Sequence, residues 1–455
     1  MFIFHEVDTM QSLMSSTLLA AALACAAPAF AQADHEVAPA EAGRATIAVD
    51  AANPTSLAIG SRSPDCGSGF AVNLSKDDGA TWHRNCTIWG MWDDETPMDV
   101  PTVVFNQQGE LFAVQPLYWG SDGGSLRAIR SIESDQHWDG WYTLAESRYY
   151  HGWIFNPQAE ADVSPTSPYR NNLYVSFTDV GWYDGHKSRI RVARSSNNGE
   201  DWTSVDATPE ATGNEQVDFA DLTIGRNGNL FVSYLSCPGR QSCRDQPAEL
   251  RLVRSTDGGQ TWSTPTALGQ TQLPNGKEAI DTFLSFSYGA LPRTQAAVSY
   301  TPVIAVDASE GPHQNRLYAV VTTYADRQLQ VQLTTSDDQG TTWSAPRPVA
   351  IGPRAADQFM PWVSVSKQGV VAVTWLDQRK HPKQTAYQPM VAFSTDGGAS
   401  FSAPAALQGE ASDPVALKDL RGSASHAWAG KRLKTAFIAS TAAGTASLRL
   451  STAKP

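Results

Sequence analysis

Short apolar runs separated by turn residues fill most of the chain, and within many runs apolar and polar positions alternate. Before Ser255, for example, apolar runs occupy residues 222–224, 230–235 and 250–253, with Gly or Asn between them. Runs of this length and period are typical of β-strands rather than helices. The pattern therefore predicts an all-β protein built from many short strands.

An eight-residue pattern, S-x-D-x-G-x-T-W, recurs along the chain and closes each group of runs. Copies begin at Ser75, Ser131, Ser195, Ser255, Ser336 and Ser394. The copy at Ser195 has Asn197 in place of Asp, the copy at Ser394 ends in Phe401, and the copy at Ser131 is decayed. Such a pattern predicts a hairpin turn, in which Ser and Asp hydrogen-bond the turn backbone and Trp packs into the sheet. We interpret it as structural rather than catalytic.

Four short strands per repeat unit predict the blades of a β-propeller. Inner strands are expected near residues 46, 102, 164, 221, 303, 361 and 425, which gives seven blades. The last unit has no box, and we expect it to borrow a strand from the N-terminal part of the chain. Six blades plus a terminal hairpin is the alternative. The spacing between the boxes at Ser255 and Ser336 is longer than the other spacings. It indicates an insertion near residues 270–293 that could cover part of the channel mouth.

Composition narrows the class of protein without changing the fold prediction. The 455 residues include 34 Gly and 27 Pro, only 18% are charged, and the net charge is −12. These values exclude a coiled coil or a disordered chain. Without a long basic run, nucleic acid is an unexpected partner. An anionic ligand would need a local group of arginines.

The N-terminal segment is typical of an exported protein. Residues 16–31 are apolar and end in Ala29-Phe30-Ala31, a small-x-small cleavage pattern. The stretch is too short to span a bilayer. We expect residues 1–31 to be a signal peptide and residues 32–455 to be one secreted or periplasmic propeller domain. A lipoprotein pattern ending at Cys25 and a buried N-terminal helix are the alternatives.

Four cysteines follow the signal segment: Cys66, Cys86, Cys237 and Cys243. An even number in an exported chain suggests two disulfides, although three pairings are open. The first two cysteines flank one hairpin and the last two lie in one short loop. We therefore expect local pairing. A metal site is the alternative, but no Cys-x-x-Cys spacing supports it.

The recurring boxes resemble the Asp-box (BNR) repeats of the sialidase-like superfamily of secreted propellers. The resemblance covers most of the chain after the signal segment and implies the fold more specifically than an activity. Sialidases clamp a substrate carboxylate with three arginines and use an Asp as acid/base and a Tyr as nucleophile. Guanidinium groups suit this task because they bind a carboxylate bidentately.

The resemblance assigns candidate roles to several positions. Arg44 corresponds to the arginine that opens the family's first inner strand, although the family's Pro is absent. The loop 61–67 corresponds to the family's acid/base loop and offers Asp65 as the acid, with Arg62 beside it. Arg327 has the spacing of a late clamp arginine. The alternative for each residue is a surface charge or a structural ion pair.

The sequence departs from the family where the Tyr nucleophile is expected. The stretch 352–359 contains no Tyr, and Asp357 takes the approximate place. The sequence does not decide which of several candidates is the third clamp arginine. These candidates are Arg189, Arg191, Arg251 and Arg354. Retaining sialidase chemistry is therefore an open question at this stage.

Two further groups of residues suit a site at one mouth of the channel. Carboxylates are expected where inner strands start, and converging carboxylates could bind Ca²⁺ or raise one another's pKa. They are Asp99, Asp162, Asp218, Asp221 and Asp357. Local turn capping is the alternative. Aromatic residues cluster between positions 82 and 202, and we select Trp119 and Trp153 as surfaces for stacking on sugar rings. Packing between blades is the alternative for them.

These observations predict a secreted, sialidase-like glycoside hydrolase that acts on acidic glycans. It would be a monomer with a glycan as its partner, no membrane span and no cofactor, apart from a possible Ca²⁺. Two alternatives stay open. One is a polysaccharide lyase, in which an arginine neutralises a uronate while a His such as His151 or His186, or a Tyr, removes a proton. The other is a non-catalytic propeller that binds carbohydrate or protein.

Overall fold

A computed structural model provides the fold. It describes residues 30–31, 34–87, 95–119, 123–131, 138–181, 187–211, 215–237, 247–272, 288–291, 294, 296–351, 356–380, 385–413, 417, 419–440 and 445–455. The signal segment therefore lies almost entirely outside the described residues, and its cleavage stays a prediction.

The structure is all-β, as the apolar pattern predicts, and consists of seven four-stranded blades. Two N-terminal strands are β1 (Phe30–Ala31) and β2 (His35–Pro39). Blade 1 comprises β3 (Ala45–Val49), β4 (Leu57–Arg62), β5 (Phe70–Ser75) and β6 (His83–Cys86). In blade 2 the inner strand is divided into β7 (Glu95–Pro97) and β8 (Thr102–Phe105), which both pair with β9 (Leu111–Trp119), and β10 (Gly123–Ser131) and β11 (Trp138–Glu146) complete the blade. Blade 3 comprises β12 (Trp153–Ala161), β13 (Leu173–Gly181), β14 (Lys187–Ser195) and β15 (Thr203–Asp206).

The remaining blades continue the same arrangement. Blade 4 comprises β16 (Gln216–Ile224), β17 (Leu230–Cys237), β18 (Ala248–Ser255) and β19 (Thr266–Thr271). A short hairpin follows, made of β20 (Tyr288–Ala290) and β21 (Ala297–Ser299). Blade 5 comprises β22 (Val303–Val306), β23 (Leu317–Ala325), β24 (Gln328–Ser336) and β25 (Arg347–Pro348). Blade 6 comprises β26 (Gln358–Val365), β27 (Val371–Asp377), β28 (Gln388–Ser394) and β29 (Ala405–Ala406). Blade 7 comprises β30 (Ala424–Ala429), β31 (Arg432–Ser440) and β32 (Ala446–Lys454).

The blades form a closed ring around a central channel. The inner strands contact one another in the order β3, β8, β12, β16, β22, β26, β30 and back to β3. Each blade is an antiparallel meander that runs outward from its inner strand. All inner strands therefore start on one face of the ring, which we call the open face. They end on the other, the box face, which carries the turns between third and fourth strands.

The ring is closed by an N-terminal strand, as the missing last box predicts. Strand β2 pairs antiparallel with β32 and supplies the outer strand of blade 7, with His35 opposite Leu450. Strand β1 pairs with the end of β32, where Phe30 lies opposite Lys454. Seven blades, rather than six, are therefore present.

The box turns carry the hydrogen bonds that their residues predict. In the first box, the Gly79 amide donates to Ser75 Oγ over 2.9 Å, and the Thr81 amide donates to Asp77 Oδ1 over 2.8 Å. Trp82 Nε1 donates to the Gly79 carbonyl at 3.0 Å. The hydrogen bond from the Gly amide to the Ser Oγ recurs in the boxes at Ser195, Ser255, Ser336 and Ser394. Most of the box at Ser131 lies outside the described residues.

Two details of the sequence prediction change. The inner strand of blade 3 spans residues 153–161, not a position near 164, because the apolar run after Asp162 forms the second strand, β13. Asp162 consequently lies at the box-face end of its strand, where it accepts hydrogen bonds from the Ser164 amide and Ser167 Oγ.

Among the described residues, no helix has the length and apolarity needed to cross a membrane.

The disulfide between Cys66 and Cys86 is present and links the 63–69 loop to β6. Cys237 is also disulfide-bonded, while Cys243 lies outside the described residues. Disulfides of this kind are consistent with an oxidising, extracytoplasmic compartment.

Candidate functional site

The channel contains a cavity of about 650 Å³ that is lined by the inner strands of all seven blades. Its lining extends from open-face residues such as Met98 and Met360 to box-face residues such as Asp50 and Lys367. Cavities of this size are typical of ligand sites. The open-face end carries most of the charged side chains that the resemblance and the strand pattern single out.

Arg44 reaches across the open-face mouth of the channel. It directly precedes β3 in blade 1, yet its Nη2 donates to the carbonyl of Pro157 in blade 3 over 2.7 Å. Its Nη1 lies 3.3 Å from Asp99 Oδ2 in blade 2. The side chain is 10% exposed. Arg44 therefore bridges three blades and presents a cation to the cavity.

Two further arginines line the same cavity. Arg62, at the end of β4, stacks over Phe70 with its guanidinium carbon 5.2 Å from the ring centroid. Arg421, before β30, forms an ion pair with Asp419 at 2.6 Å. Arg421 precedes its inner strand much as Arg44 does. That shared position is the signal by which sequence reasoning could have found it.

Two carboxyl groups with raised pKa values lie in the part of the channel wall that blades 3 and 4 form. Asp221 is buried, which raises its pKa to about 7 although the amides of Ile304 and Leu222 and the charge of Arg44 favour the anion. Glu160 opens to the channel lumen. Desolvation inside the channel, together with the charges of Asp221 and Asp162, raises its pKa from 4.5 to about 8. Glu160 is therefore protonated at neutral pH and can donate a proton. The sequence analysis missed Glu160, because a single Glu in a strand carries no distinguishing pattern.

The other carboxylates that the strand pattern singles out have local partners. Asp218 Oδ1 accepts hydrogen bonds from Asn156 Nδ2, Thr178 Oγ1 and the Phe219 amide. Burial nevertheless raises its pKa. Asp357 is 1% exposed and accepts a hydrogen bond from the Leu329 amide over 2.8 Å. Neither residue is among those that line the cavity.

His426, the histidine in the channel wall, is a structural residue. Its Nε2 lies 2.7 Å from Ser364 Oγ, and its Nδ1 lies 2.8 Å from Thr374 Oγ1. Burial lowers its pKa to about 3. It is therefore neutral, and both ring nitrogens are engaged in linking blades 6 and 7.

Several predicted site residues lie away from the cavity. The carboxylate of Asp65 forms an ion pair with Arg84 and is 60% exposed. Arg327 is exposed in the β23–β24 turn, where Asp326 and Arg327 both have positive φ. Arg354 lies outside the described residues. The structure thus brings together Arg44, Arg62 and Asp99 but not Asp65 or Arg327.

The other candidates for the third clamp arginine form ion pairs in outer parts of their blades. Arg189 pairs with Asp206 and Glu210, and Arg251 pairs with Glu215 and Glu249. Arg191 is 3% exposed and pairs with the buried carboxylate of Asp179. None of the three lines the cavity.

The two selected tryptophans differ in their surroundings. Trp153 starts β12 and stacks against Tyr118, with ring centroids 4.7 Å apart. Trp119 packs instead beneath the guanidinium of Arg127, 4.9 Å from the ring centroid. Within the described residues, no group of three or more His, Cys, Asp or Glu side chains is arranged to hold a metal ion.

Comparisons with known proteins support the propeller class. Residues 253–264 match the family model described as BNR/Asp-box repeat. No curated protein sequence matches the chain. An ulvan lyase from a new polysaccharide lyase family, bound to -[GlcA(1-4)Rha3S]-, has a TM-score of 0.51 and 13% identity, covering 92% of this chain and 95% of its own.

Two glycosidases also match, with lower TM-scores. A Hadza microbial sialidase has a TM-score of 0.49 and 13% identity, covering 89% of this chain and 74% of its own. An α-L-arabinofuranosidase from Fusarium graminearum, in complex with an iminosugar inhibitor, has a TM-score of 0.44 and 13% identity, covering 79% of this chain and 92% of its own. At 13% identity, the similarity to the ulvan lyase concerns the fold alone.

Proposed function

We propose that this protein is a secreted, sialidase-like glycoside hydrolase that binds an acidic glycan at the open-face end of its channel. The observation that carries the proposal is the placement of Arg44, Arg62 and Arg421 around one cavity. These arginines come from the start of β3, the end of β4 and the segment before β30. Guanidinium groups that converge from separate strands are suited to a carboxylate or sulfate.

The proposed hydrolysis also needs a proton donor. Glu160 combines exposure to the lumen with a pKa raised to about 8, so it carries a proton at neutral pH. Glu160 lies near the box-face end of β12, so in the proposed reaction the glycan reaches down the channel from the arginines at the open face. Glu160 then protonates the oxygen of the leaving sugar, and water supplies the new hydroxyl group and the proton that restores Glu160. Asp65, the acid that the family resemblance suggests, is the alternative donor. Its exposed position and its ion pair with Arg84 favour Glu160.

One observation favours a non-catalytic glycan-binding propeller as the second candidate. Among the described residues that line the cavity there is no tyrosine to act as the family's nucleophile. A lyase would need a side chain that can accept a proton there, and both ring nitrogens of His426 in the cavity lining are already engaged. Product chemistry separates the three functions. Hydrolysis yields a reducing sugar, elimination yields an unsaturated uronate that absorbs in the near ultraviolet, and a binder yields neither.

The arginine cluster is tested with a glycan array that contains sialylated and uronate-containing ligands. We expect wild-type protein to bind an acidic glycan, and Arg44→Gln and Arg62→Gln each to lose about tenfold or more in affinity, as the loss of a charge-assisted contact implies. Glu160→Gln should bind normally but lose turnover.

Two further arginine variants complete the experiment. Arg316→Gln, which removes a paired arginine on the box face, serves as the control and should bind like wild type. Arg327→Gln tests the candidate that the family spacing suggests. Wild-type affinity in both Arg44 and Arg62 variants, with thermal unfolding unchanged, would contradict the proposed site.

A further inference from the structure

Three aromatic side chains form a continuous row on the open face, from blade 2 to the channel. Tyr118 at the end of β9 contacts Trp153, and Trp153 contacts Phe155 with ring centroids 5.7 Å apart. All three are half-buried, and Phe155 lines the cavity. We call these three residues the aromatic strip. The ring planes turn by 38° and then by 33°, so the strip is a twisted surface.

Backbone packing between blades 2 and 3 creates the strip. The Gly124 amide donates to the Gly152 carbonyl over 2.6 Å, which holds the start of β12 against β10. A Cβ at Gly124 would lie only 3.0 Å from the Gly152 oxygen and the Ile154 nitrogen. The contact between Trp153 and Tyr118 therefore depends on the missing side chain at position 124.

A buried carboxylate anchors the loop that leads into Trp153. Asp179, at the open-face end of β13, accepts hydrogen bonds from Ser147 Oγ at 2.5 Å and from the Arg148 amide at 3.0 Å. It also pairs with Arg191 at 2.9 Å. The aromatic strip thus rests on fixed backbone rather than on a loosely held loop.

The inner end of the strip meets the arginine cluster. The guanidinium of Arg44 donates to the carbonyl of Pro157, two residues after Phe155. An apolar, π-rich surface therefore continues directly into a cationic cavity. Sugar rings present apolar C–H faces that stack on aromatic rings, while guanidinium groups bind anionic substituents. A neutral glycan would leave the arginines unused, and a small anion would leave the strip unused.

We infer that the strip holds the sugar units that follow the anionic unit in the cavity. The ligand is then an acidic oligosaccharide or polysaccharide that extends from the channel over blade 3 to blade 2, rather than a single charged sugar. This inference rests on the proposed acidic-glycan site. It gives the three strip residues the role of additional binding positions.

Trp119 is not part of the strip, although it follows Tyr118 directly. Neighbouring residues of a strand point to opposite sides of the sheet. Tyr118 accordingly faces Trp153, whereas Trp119 stacks on Arg127. Trp153 is therefore part of the proposed sugar-binding surface, whereas Trp119 lies outside it.

The inference is tested by binding to polymers and to their monomers. Affinity electrophoresis would use gels that contain polysialic acid, polygalacturonate, alginate or hyaluronan, with dextran as the neutral control. Calorimetry would measure the matching monosaccharides. The variants are Trp153→Ala, Trp153→Leu, which preserves more of the apolar volume, and Gly124→Ala, which displaces the start of β12. Trp141→Ala, on the outer strand β11, is the matched control.

We expect wild type and Trp141→Ala to be retarded equally by at least one acidic polymer. Both Trp153 variants and Gly124→Ala should lose roughly fivefold to tenfold in apparent affinity for that polymer, the loss expected of one aromatic contact. Affinity for the monosaccharide should not change. Wild-type polymer affinity in the folded Trp153 variants would overturn the inference and leave the proposed cavity site intact. Failure of wild type to bind every acidic probe would overturn both.

Discussion

The box face and the open face of the ring are built in different ways. On the box face, the same Ser-to-Gly hydrogen bond recurs in five described turns, from Ser75 to Ser394. On the open face, the blades differ from one another: blade 1 contributes Arg44, blade 2 Tyr118 and blade 3 Trp153. The repeated face supports the fold, and the face where the repeat breaks down carries the candidate chemistry.

This contrast explains why a strong repeat says little about activity. A hairpin turn needs the same few side chains wherever it occurs, so the boxes of different blades share their residues. A ligand meets all blades at once, so each blade can contribute a different group. Substitutions on the two faces should therefore have separable effects, on stability for the box face and on binding for the open face.

The largest expected effect comes from breaking ring closure on the box face. Asp78 in the first box pairs with Arg432 at 2.5 Å and with Lys434 at 3.0 Å, both in blade 7. Lys434 is 3% exposed. Asp78→Ala leaves that charge buried without its carboxylate and should lower the free energy of unfolding by about 3–5 kcal/mol. Denaturant titration would measure this loss.

A second substitution sharpens this test. Lys434→Met in the Asp78→Ala background removes the stranded charge and should recover most of the stability. Glycan binding should be unaffected in both proteins, because the pair lies on the box face. An Asp78→Ala protein as stable as wild type would show that closure depends on strand pairing alone.

A smaller effect is expected from a single box. Ser255 is 2% exposed, and its Oγ accepts a hydrogen bond from the Gly259 amide at 2.9 Å. Ser255→Ala leaves that buried amide without its partner and should cost about 1–3 kcal/mol in unfolding free energy. Thr256→Ala, at the exposed neighbouring position, is the control and should change stability by less than about 0.5 kcal/mol. Equal losses in both variants would contradict the assigned role of the box serine.

The smallest expected effect is a difference in pH dependence between the box turns and the channel. In the box, hydrogen bonds from Thr81 and Ser75 lower the pKa of Asp77 to about 2. Its contribution to stability is therefore present above pH 4 and lost as the pH falls towards 2.

In the channel, the raised pKa of Glu160 means that the folded state binds more protons than the unfolded state between about pH 4.5 and 8. Stability from this group falls as the pH rises through that window.

Glu160→Gln tests the sign of the channel effect. The variant should match wild type near pH 4 and be more stable than wild type near pH 8, because it never carries the charge that the channel environment disfavours. Thermal unfolding across this range provides the measurement. A variant that is less stable than wild type at pH 8 would mean that Glu160 is ionised and favourably paired.

Much of the architecture could be predicted because it depends on local chemistry. The boxes, the strand periods and the missing last box led to the propeller, to seven blades in preference to six, and to the N-terminal closure. The misplaced inner strand of blade 3 shows the limit, because residues 153–161 include Pro157 and several polar residues and do not stand out as a strand in the sequence. The Cys66–Cys86 pair was predictable for the same local reason, since both cysteines flank one hairpin.

The candidate site was only partly predictable because its residues are distant in the chain. Family spacing led to Arg44 and Arg62, which line the cavity, and equally to Asp65 and Arg327, which do not. A loop residue's spacing does not determine whether its side chain points to the channel or outward. Asp65 turns to Arg84, a partner that no spacing rule includes.

The sequence by itself determined the repeated hairpins, because their hydrogen bonds join residues only a few positions apart. Only the tertiary structure decided which side chains meet at the channel. Arg44 contacts Pro157, and Trp153 contacts Tyr118, across gaps that are set by the packing of neighbouring blades. The raised pKa of Glu160 likewise arises from burial and from Asp221 on the next blade. Such effects depend on distance in space, which ring closure determines.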